Sequence, residues 1–250
     1  MADTVLPDMG HDAWNERSDS EVGFWDRWIA EDGYKWPKDF IRRTDPQAPL
    51  TPQLANLVDK IDLARPGHID ILDIGAGPLS YVGLQHPGHT IDLTVADPLA
   101  ERYNRLLDDK GITGVPRPVE GYFETALAQF GPERFDMIWC CNSLDHSLDP
   151  VLGLANLLGV CRTGGVLLLS FHPDEAEQGN YKGLHQWNLH ARDERIWLTQ
   201  KDREFCLSRL IDPHNVIFRM GMAKNNTRKE RIVLGIRKMA DVNISQAVLD

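Results

Sequence analysis

Two glycines directly follow a strongly apolar run, at a point where the backbone can approach a ligand closely. The run is His68–Ile74, and the glycines are Gly75 and Gly77. A short apolar run of this kind predicts a buried strand, and glycine permits a tight turn without a Cβ to hold a ligand away. Ligands of open α/β sheets bind at the carboxyl ends of the strands. The pattern therefore predicts a ligand site at this turn.

A carboxylate ends the next apolar run. Asp97 follows Thr90–Ala96, and an acid about 20 residues after a glycine turn is typical of a group that holds the two hydroxyls of a ribose. A turn made by Asp97 and Pro98 without any ligand is the alternative. Ser80 and its neighbours replace the third glycine of the dinucleotide motif, so NAD and an oxidoreductase are the weaker interpretation.

Three histidines are candidates for moving a proton. His146 and His172 each follow a predicted strand, at the edge of the sheet where the glycine turn lies. His185 belongs to Tyr181–Asn188, a segment rich in aromatic and hydrogen-bonding side chains that is typical of a surface for a sugar or a polar ring. Histidine titrates near neutral pH, and His146 is the first choice for a general base. Packing is the alternative for His146, as burial in the core is for Trp187.

Oxygen and nitrogen ligands for a metal also occur near these histidines. They are His172, Asp174 and Glu175, together with Asn142 or Asp145. Acidic loops are usually just solvated, so no metal site is predicted.

Composition restricts the classes of partner. The 250 residues are 42% hydrophobic and carry a formal net charge of −10. An acidic surface disfavours nucleic acids and anionic membranes as main partners. The four cysteines form no CxxC pair, so neither zinc nor disulfides are indicated. The chain starts without a signal-like segment and has no run long enough to span a membrane, so a cytoplasmic location is expected.

Predicted strands and helices alternate along most of the chain, which is typical of a parallel sheet covered by helices on both faces. The strands are predicted at His68–Ile74, Thr90–Ala96, Gly114–Val119, Phe135–Cys141 and Val166–Phe171. The helices are predicted at Thr51–Ala64, Ser80–Gln85, Leu99–Asp109, Glu124–Phe130 and Val151–Cys161. Two further strands, Asn215–Met222 and Arg231–Arg237, are joined by a short polar loop and should pair antiparallel.

The two ends of this regular region differ from it. Residues 1–50 are rich in tryptophan and contain a predicted helix at Ser20–Glu31, so they are expected to form a helical cap. Burial of these aromatic side chains is the expectation, with direct ligand contact as the alternative. The domain itself is assigned to residues 51–240, with an insertion at about 172–213 on the side of the second substrate.

From Ile69 to Lys238 the chain resembles the class I S-adenosylmethionine-dependent methyltransferases. The matching pieces are Leu72–Gly77, Asp97, Phe135–His146 and Arg162–Leu169. More narrowly, the chain resembles a bacterial subgroup of these enzymes whose methyl acceptors are unidentified. The motifs that carry this resemblance are Gly77-Pro-Leu, Ala96-Asp-Pro-Leu-Ala, Asn142–Pro150 and Tyr181–Asn188. The resemblance implies an α/β, Rossmann-like sheet of seven strands, mostly parallel with an antiparallel last strand.

The resemblance also implies a donor site for S-adenosylmethionine. Asp73, Gly75 and Gly77 would border its methionine part, and Asp97 with Pro98 would hold the ribose. Tyr122 or Phe123 would lie against the adenine, although the family commonly has an aspartate at about the position of Tyr122. Cys141 and Asn142 would complete this pocket.

The activity implied is methyl transfer to a small polar acceptor. O-methylation of a saccharide or nucleotide-linked sugar is preferred, and a specialised-metabolite hydroxyl is the runner-up. A non-catalytic module that binds the donor is the alternative from another class. The oligomeric state stays open.

Overall fold

The structure is a computed structural model that describes residues 11–193, 195–201, 203–207, 216–224 and 230–240. Nine strands lie within these ranges, and they form two sheets. They are β1 His68–Ile74, β2 Thr90–Ala96, β3 Phe135–Cys141, β4 Cys161–Phe171, β5 Asn188–Arg192, β6 Arg195–Gln200, β7 Arg203–Cys206, β8 Val216–Lys224 and β9 Glu230–Lys238.

The main sheet has the order β2-β1-β3-β4-β9-β8. Strands β1 to β4 are parallel, and β9 runs antiparallel between β4 and β8. The predicted mostly parallel sheet with an antiparallel terminal hairpin is therefore confirmed. The asparagine at the predicted start of that hairpin, Asn215, lies outside the described residues.

The prediction of seven strands is wrong for the described residues, which contribute six strands to this sheet. The predicted strand Gly114–Val119 is reduced to one bridge between Val119 and Ala96. Pro116 and Pro118 explain the difference, because proline has no N–H to donate to a strand ladder.

Seven α-helices accompany the strands in the described ranges. They are α1 His11–Ala30, α2 Pro37–Thr44, α3 Pro52–Val58, α4 Ala100–Lys110, α5 Ala126–Phe130, α6 Pro150–Val160 and α7 Glu175–Gln178. The cap helix α1 begins earlier than the predicted Ser20, and α3 is shorter than its prediction. None of these helices has the length and apolar character that crossing a membrane requires.

The predicted helix Ser80–Gln85 is wrong. This segment is irregular and pairs with the chain before α3: the N–H of Leu50 donates to the carbonyl of Gln85 at 2.8 Å, and the N–H of Thr51 donates to Val82 at 2.8 Å. Its backbone groups form hydrogen bonds with a neighbouring segment instead of with each other. The helical spacing of its apolar residues is therefore not accompanied by a helix.

Helices cover both faces of the main sheet, as predicted. Ile69 and Ile71 of β1 pack on the face of Leu54 in α3, whereas Leu72 packs on the face of Leu157 in α6. The alternation follows from the two-residue period of a strand. β1 is therefore apolar on both sides, which is the pattern that made it visible in the sequence.

The cap packs against the end of the sheet where β1 and β2 finish. Trp28 and Ile29 of α1 are buried against Leu79 and Leu107. The segment after β4 contains α7 and a separate antiparallel sheet, β5-β6-β7. The part of the predicted insertion at residues 208–213 lies outside the described residues.

Candidate functional site

A cavity of about 1250 Å³ opens at the carboxyl ends of β1, β2, β3 and β4. All twelve residues proposed from the sequence for the donor and for catalysis line this one cavity. They are Asp73, Gly75, Gly77, Asp97, Pro98, Tyr122, Phe123, Cys141, Asn142, His146, His172 and His185. Their roles stay predictions, but their placement in one cavity makes a common site geometrically possible.

The glycine turn needs glycine at both positions. Gly75 and Gly77 have φ of 66° and 68°, the left-handed region that other residues rarely adopt. A Cβ on Gly75 would stand 2.3 Å from the Oγ of Ser143, and a Cβ on Gly77 would stand 2.9 Å from the indole of Trp25. The turn is therefore packed between the loop after β3 and the cap helix α1.

Asp97 and Asp73 are buried carboxylates on the wall beside this turn. The two oxygens of Asp97 accept the backbone N–H groups of Gly77 and Leu99, each at 2.9 Å. The hydroxyl of Ser80 donates to Asp73 at 2.5 Å. Burial raises the pKa of Asp73 to about 6 and that of Asp97 to about 6, against these hydrogen bonds.

The charge of these two carboxylates is not matched by an ion pair in the part of the chain that the structure describes. Arg43 of α2 is the nearby cation and lowers the pKa of Asp73 through its charge. Its guanidinium donates to the carbonyl of Leu79, while its buried Nε has no hydrogen-bond partner. This wall therefore favours a ligand that carries positive charge and an acceptor for Arg43.

The two aromatic residues predicted beside the adenine have different surroundings. Tyr122 is half-buried at the cavity wall, with its ring centroid 6.4 Å from that of Trp14. Phe123 is a core residue that packs with Leu72 and Leu154 and reaches the cavity at its edge. Tyr122 is thus the better placed of the two to lie against a ligand ring.

On another wall, three titratable side chains converge. The Oδ2 of Asp145 lies 2.5 Å from the Nδ1 of His185, which lies 3.1 Å from the Nε2 of His146. The remaining distance, from His146 Nε2 to Asp145 Oδ2, is 3.7 Å. Among the described residues, these three form the one group of histidine, cysteine and acidic side chains arranged to hold a metal ion.

Electrostatics favour ionised forms in this cluster. Burial opposes ionisation of Asp145, but the charge of His146 and the hydrogen bond from His185 outweigh it, so the pKa of Asp145 is lowered. Burial also opposes protonation of His185, yet the hydrogen bond to Asp145 raises the pKa of His185. The cluster therefore stabilises negative charge on Asp145 and positive charge beside it.

Backbone hydrogen bonds hold His185 in this position. The N–H groups of Gln186 and Trp187 both donate to the carbonyl of Asp145, at 3.1 and 3.2 Å. Trp187 itself is 1% exposed, so it is a core anchor, the alternative considered for it from the sequence. The loop after β3 and the segment after α7 are thereby fixed to each other.

The other polar groups of Tyr181–Asn188 serve the segment itself. The amide of Gln186 donates to the carbonyls of Tyr181 and Gly183, and the Oδ1 of Asn188 accepts the N–H of Glu177. Within this segment, the cavity is lined by Leu184 and His185. The interpretation of the whole segment as a sugar-binding surface is therefore not supported by its contacts.

His172 lies apart from the cluster. Its Nε2 is 3.3 Å from a guanidinium nitrogen of Arg231, and its backbone N–H donates to the Oδ1 of Asn142 at 3.2 Å. Arginine only donates, so the Nε2 of His172 accepts, and its lone pair is engaged. Of the metal ligands considered from the sequence, the structure brings Asp145 into the converging group, but not His172.

The cavity is also lined by residues that sequence reasoning did not single out as site residues. Among them are Trp14, Glu21, Trp25, Arg43 and Arg231. The dense aromatic residues at the start of the chain were a signal, and ligand contact was the less favoured alternative for them. Nothing in the local sequence marks Arg43 or Arg231, because both reach the cavity through tertiary packing.

No protein-family model and no curated protein matches this chain. Solved structures of S-adenosylmethionine-dependent methyltransferases do match it. One from Clostridium acetobutylicum is 13% identical, with 89% of this chain and 99% of that one covered and a TM-score of 0.44. One from Methanosarcina mazei is 16% identical, with 77% and 100% covered and a TM-score of 0.44.

The trans-methyltransferase CalH, in complex with SAH, is 14% identical, with 74% of this chain and 54% of that one covered and a TM-score of 0.45. This chain thus spans about half the length of CalH. These identities and TM-scores are too low to assign a function, so function has to be inferred from the residues of the cavity.

Proposed function

We propose that this protein transfers a methyl group from S-adenosylmethionine to a hydroxyl of a small polar acceptor. One observation carries the proposal: the glycine turn with Asp97 lines the same cavity as His146 and His185, and the buried Asp145 lies directly behind these two histidines. The first wall suits a nucleoside with a positive charge. The second wall suits the activation of a nucleophile beside it.

The chemistry of the donor wall fits S-adenosylmethionine. The donor carries a sulfonium and an ammonium group, and the buried carboxylates of Asp73 and Asp97 lack ion-pair partners in the described chain. A carboxylate has about four acceptor positions, and Asp97 uses two of them on backbone N–H groups. The rest are available to the two ribose hydroxyls, while Arg43 would hold the donor's carboxylate.

When bound, S-adenosylmethionine supplies a methyl carbon that is already electrophilic. In the transfer the acceptor oxygen bonds to this carbon, the carbon–sulfur bond breaks with its electron pair left on sulfur, and the hydroxyl proton must leave. The chain has to orient the oxygen and assist loss of the proton. We assign that assistance to the cluster of Asp145, His146 and His185.

A saccharide or nucleotide-linked sugar is the acceptor class that we prefer. The cavity wall combines aromatic faces, Trp14 and Tyr122, with the charged groups of Lys38 and Arg231. Aromatic faces stack on the apolar side of a sugar ring, and cations bind the hydroxyls or phosphates. This support comes from the cavity wall and no longer from the segment Tyr181–Asn188.

Calorimetric titration tests the donor half of the proposal. S-adenosylmethionine and S-adenosylhomocysteine are each expected to bind the full chain with one site, and NAD is expected not to bind. A panel of monosaccharides, nucleotide sugars and phenolic hydroxyl compounds then tests the acceptor half, by release of S-adenosylhomocysteine. Donor binding without turnover on any compound would favour a non-catalytic binding module, and tight NAD binding alone would contradict the proposal.

A further inference from the structure

Three potential ligand atoms converge at the part of the cavity wall that His146 and His185 line. They are the Oδ2 of Asp145, the Nδ1 of His185 and the Nε2 of His146, with separations of 2.5, 3.1 and 3.7 Å. They come from two chain segments, and all three side chains are buried or half-buried. The three atoms lie close enough together to share one cation.

Protons satisfy this arrangement poorly. A neutral imidazole has one N–H and one lone pair. If the Nδ1 of His185 carries a proton, it donates to Asp145. The Nε2 of His146 then either accepts a share of the same hydrogen bond or, if it carries a proton itself, faces the N–H of His185. Three atoms thus compete for one proton, whereas a cation between them would accept a lone pair from each.

The separations are close to those around a transition-metal ion. Ligands about 2.1 Å from one ion, at angles of roughly 90° to 110°, stand roughly 2.9–3.4 Å apart. The 3.1 Å between the two imidazole nitrogens lies within this range, whereas the distances from the Oδ2 of Asp145 to His185 and His146, 2.5 and 3.7 Å, lie below and above it, so the carboxylate would have to shift slightly to share one ion with both. Two histidines with one carboxylate are typical of catalytic zinc and of non-haem iron(II) sites, and these sites keep a coordination position open.

We propose that Asp145, His146 and His185 bind one divalent first-row transition-metal ion, of the zinc or iron(II) type, in the cavity. Magnesium is disfavoured because it prefers an all-oxygen shell. The two backbone hydrogen bonds that Asp145 accepts from Gln186 and Trp187 hold the ligand segments in place before any ion arrives. Metal ligands supported in this way bind more tightly than mobile ones.

The role of the ion rests on the proposed function, although its binding does not. An ion with an open position binds the acceptor hydroxyl and lowers its pKa. The proton leaves to solvent water through the open cavity, and the oxygen is held as a nucleophile near the donor. His146 and His185 then act as ligands, because a lone pair bound to a metal takes no proton.

Metal titration of the full chain, with any affinity tag removed and after treatment with a chelator, tests the binding. Zn²⁺ is expected to bind with a stoichiometry of one, Co²⁺ to give the visible absorption of an imidazole-bound ion, and Mg²⁺ to compete with neither. His185→Gln should weaken Zn²⁺ binding by more than about 100-fold, since loss of a mere supporting partner costs roughly 10–100-fold. His172→Gln, which removes a cavity histidine outside the cluster, should leave the affinity unchanged.

X-ray absorption of the zinc-loaded wild type keeps the test independent of how the variants fold, because it should show two imidazole nitrogens. Absence of stoichiometric binding, or binding lost in His172→Gln but kept in His185→Gln, would overturn the proposal. Titration of the same samples with S-adenosylmethionine separates the two conclusions. Donor binding without metal binding would refute the metal site alone, and loss of donor binding would refute the proposed function.

Discussion

The carboxylate of Asp97 joins the end of β2 to the glycine turn after β1, because its Oδ2 accepts the N–H of Gly77 at 2.9 Å. Its Oδ1 accepts the N–H of Leu99 at the same distance. The residue is 7% exposed and lines the cavity, so it shapes the turn and faces the cavity at once. A change at Asp97 should therefore affect the turn and the donor together.

Asp97→Asn should weaken S-adenosylmethionine binding by about 10- to 100-fold. The amide is neutral and keeps one acceptor oxygen, while its NH2 group only donates. One backbone N–H and one ribose hydroxyl therefore lose their acceptor, and hydrogen bonds to charged groups contribute about 1.5–3 kcal/mol. Calorimetry measures the change in Kd. Asp92→Asn is the matched control, since Asp92 lies on the same strand but its side chain is 45% exposed, outside the cavity. Equal Kd values for the two variants would contradict this role.

Gly77→Ala should damage the site more than its backbone strain explains. A left-handed conformation costs a residue with a Cβ about 1–2 kcal/mol, and at this position the Cβ also meets the indole of Trp25 at 2.9 Å. We expect lower stability and weaker donor binding, measured by urea unfolding and calorimetry. Gly111→Ala is the control, because Gly111 has φ of 71° but open space around it.

A second substitution separates the clash from the strain. In the double variant Trp25→Ala with Gly77→Ala, the contact is removed while the strained φ stays. The losses of unfolding free energy in the two single variants should sum to more than the loss in the double variant. The effects of neighbouring residues that share a contact are not additive. Strict additivity would mean that Trp25 moves away at no cost.

The buried strands could be predicted from the sequence, because β1 and β3 are apolar on both faces and their runs stand out. The prediction of a strand at Gly114–Val119 was wrong. Most of its residues are apolar, but Pro116 and Pro118 have no backbone N–H to donate to a neighbouring strand. The local sequence pattern shows where apolar residues lie, but a strand also needs backbone N–H groups that donate to a neighbouring strand.

The cluster of Asp145, His146 and His185 was only partly predictable. His146 was a candidate because it follows a predicted strand, and His185 because it belongs to the polar and aromatic segment Tyr181–Asn188. Their contact depends on the hydrogen bonds from Gln186 and Trp187 to the carbonyl of Asp145, across a long stretch of chain. No spacing in the sequence encodes that pairing, since tertiary packing produces it.

Asp136→Ala should destabilise the fold without affecting the donor wall. At the amino end of β3, Asp136 pairs with Arg162 at 2.6 Å and accepts the N–H of Asp70 at 2.9 Å. Removing a buried partner leaves a cation and a backbone donor unsatisfied, at a cost of about 3 kcal/mol. Urea unfolding measures this loss.

The control for Asp136 is an exposed ion pair. Glu31→Ala breaks the pair of Glu31 with Arg27, whose side chains are 46% and 58% exposed, and should cost less than about 0.5 kcal/mol. Donor affinity of Asp136→Ala, measured well below its unfolding temperature, should equal that of the wild type. A similar loss of stability in both variants would show that Asp136 is not needed by the sheet.

Donor binding should depend on pH through Asp73 and Asp97. Burial raises both pKa values from 3.8 to about 6, so between these values the folded chain holds more protons than the unfolded chain. Stability of the free protein therefore falls as pH rises through this window. The cationic donor prefers ionised carboxylates, so its affinity should rise from about pH 5 to about pH 7 and then level off.

Calorimetry in two buffers of different ionisation enthalpy measures the protons released on donor binding. We expect about one to two protons near pH 5.5 and few near pH 8. The groups that face these carboxylates are Arg43 and Ser80 beside Asp73, with Glu21 and His146 beside Asp97. Asp73→Asn should release fewer protons, whereas His146→Gln should keep the release. An affinity that does not change between pH 5 and 7 would mean that both carboxylates are already ionised before the donor binds.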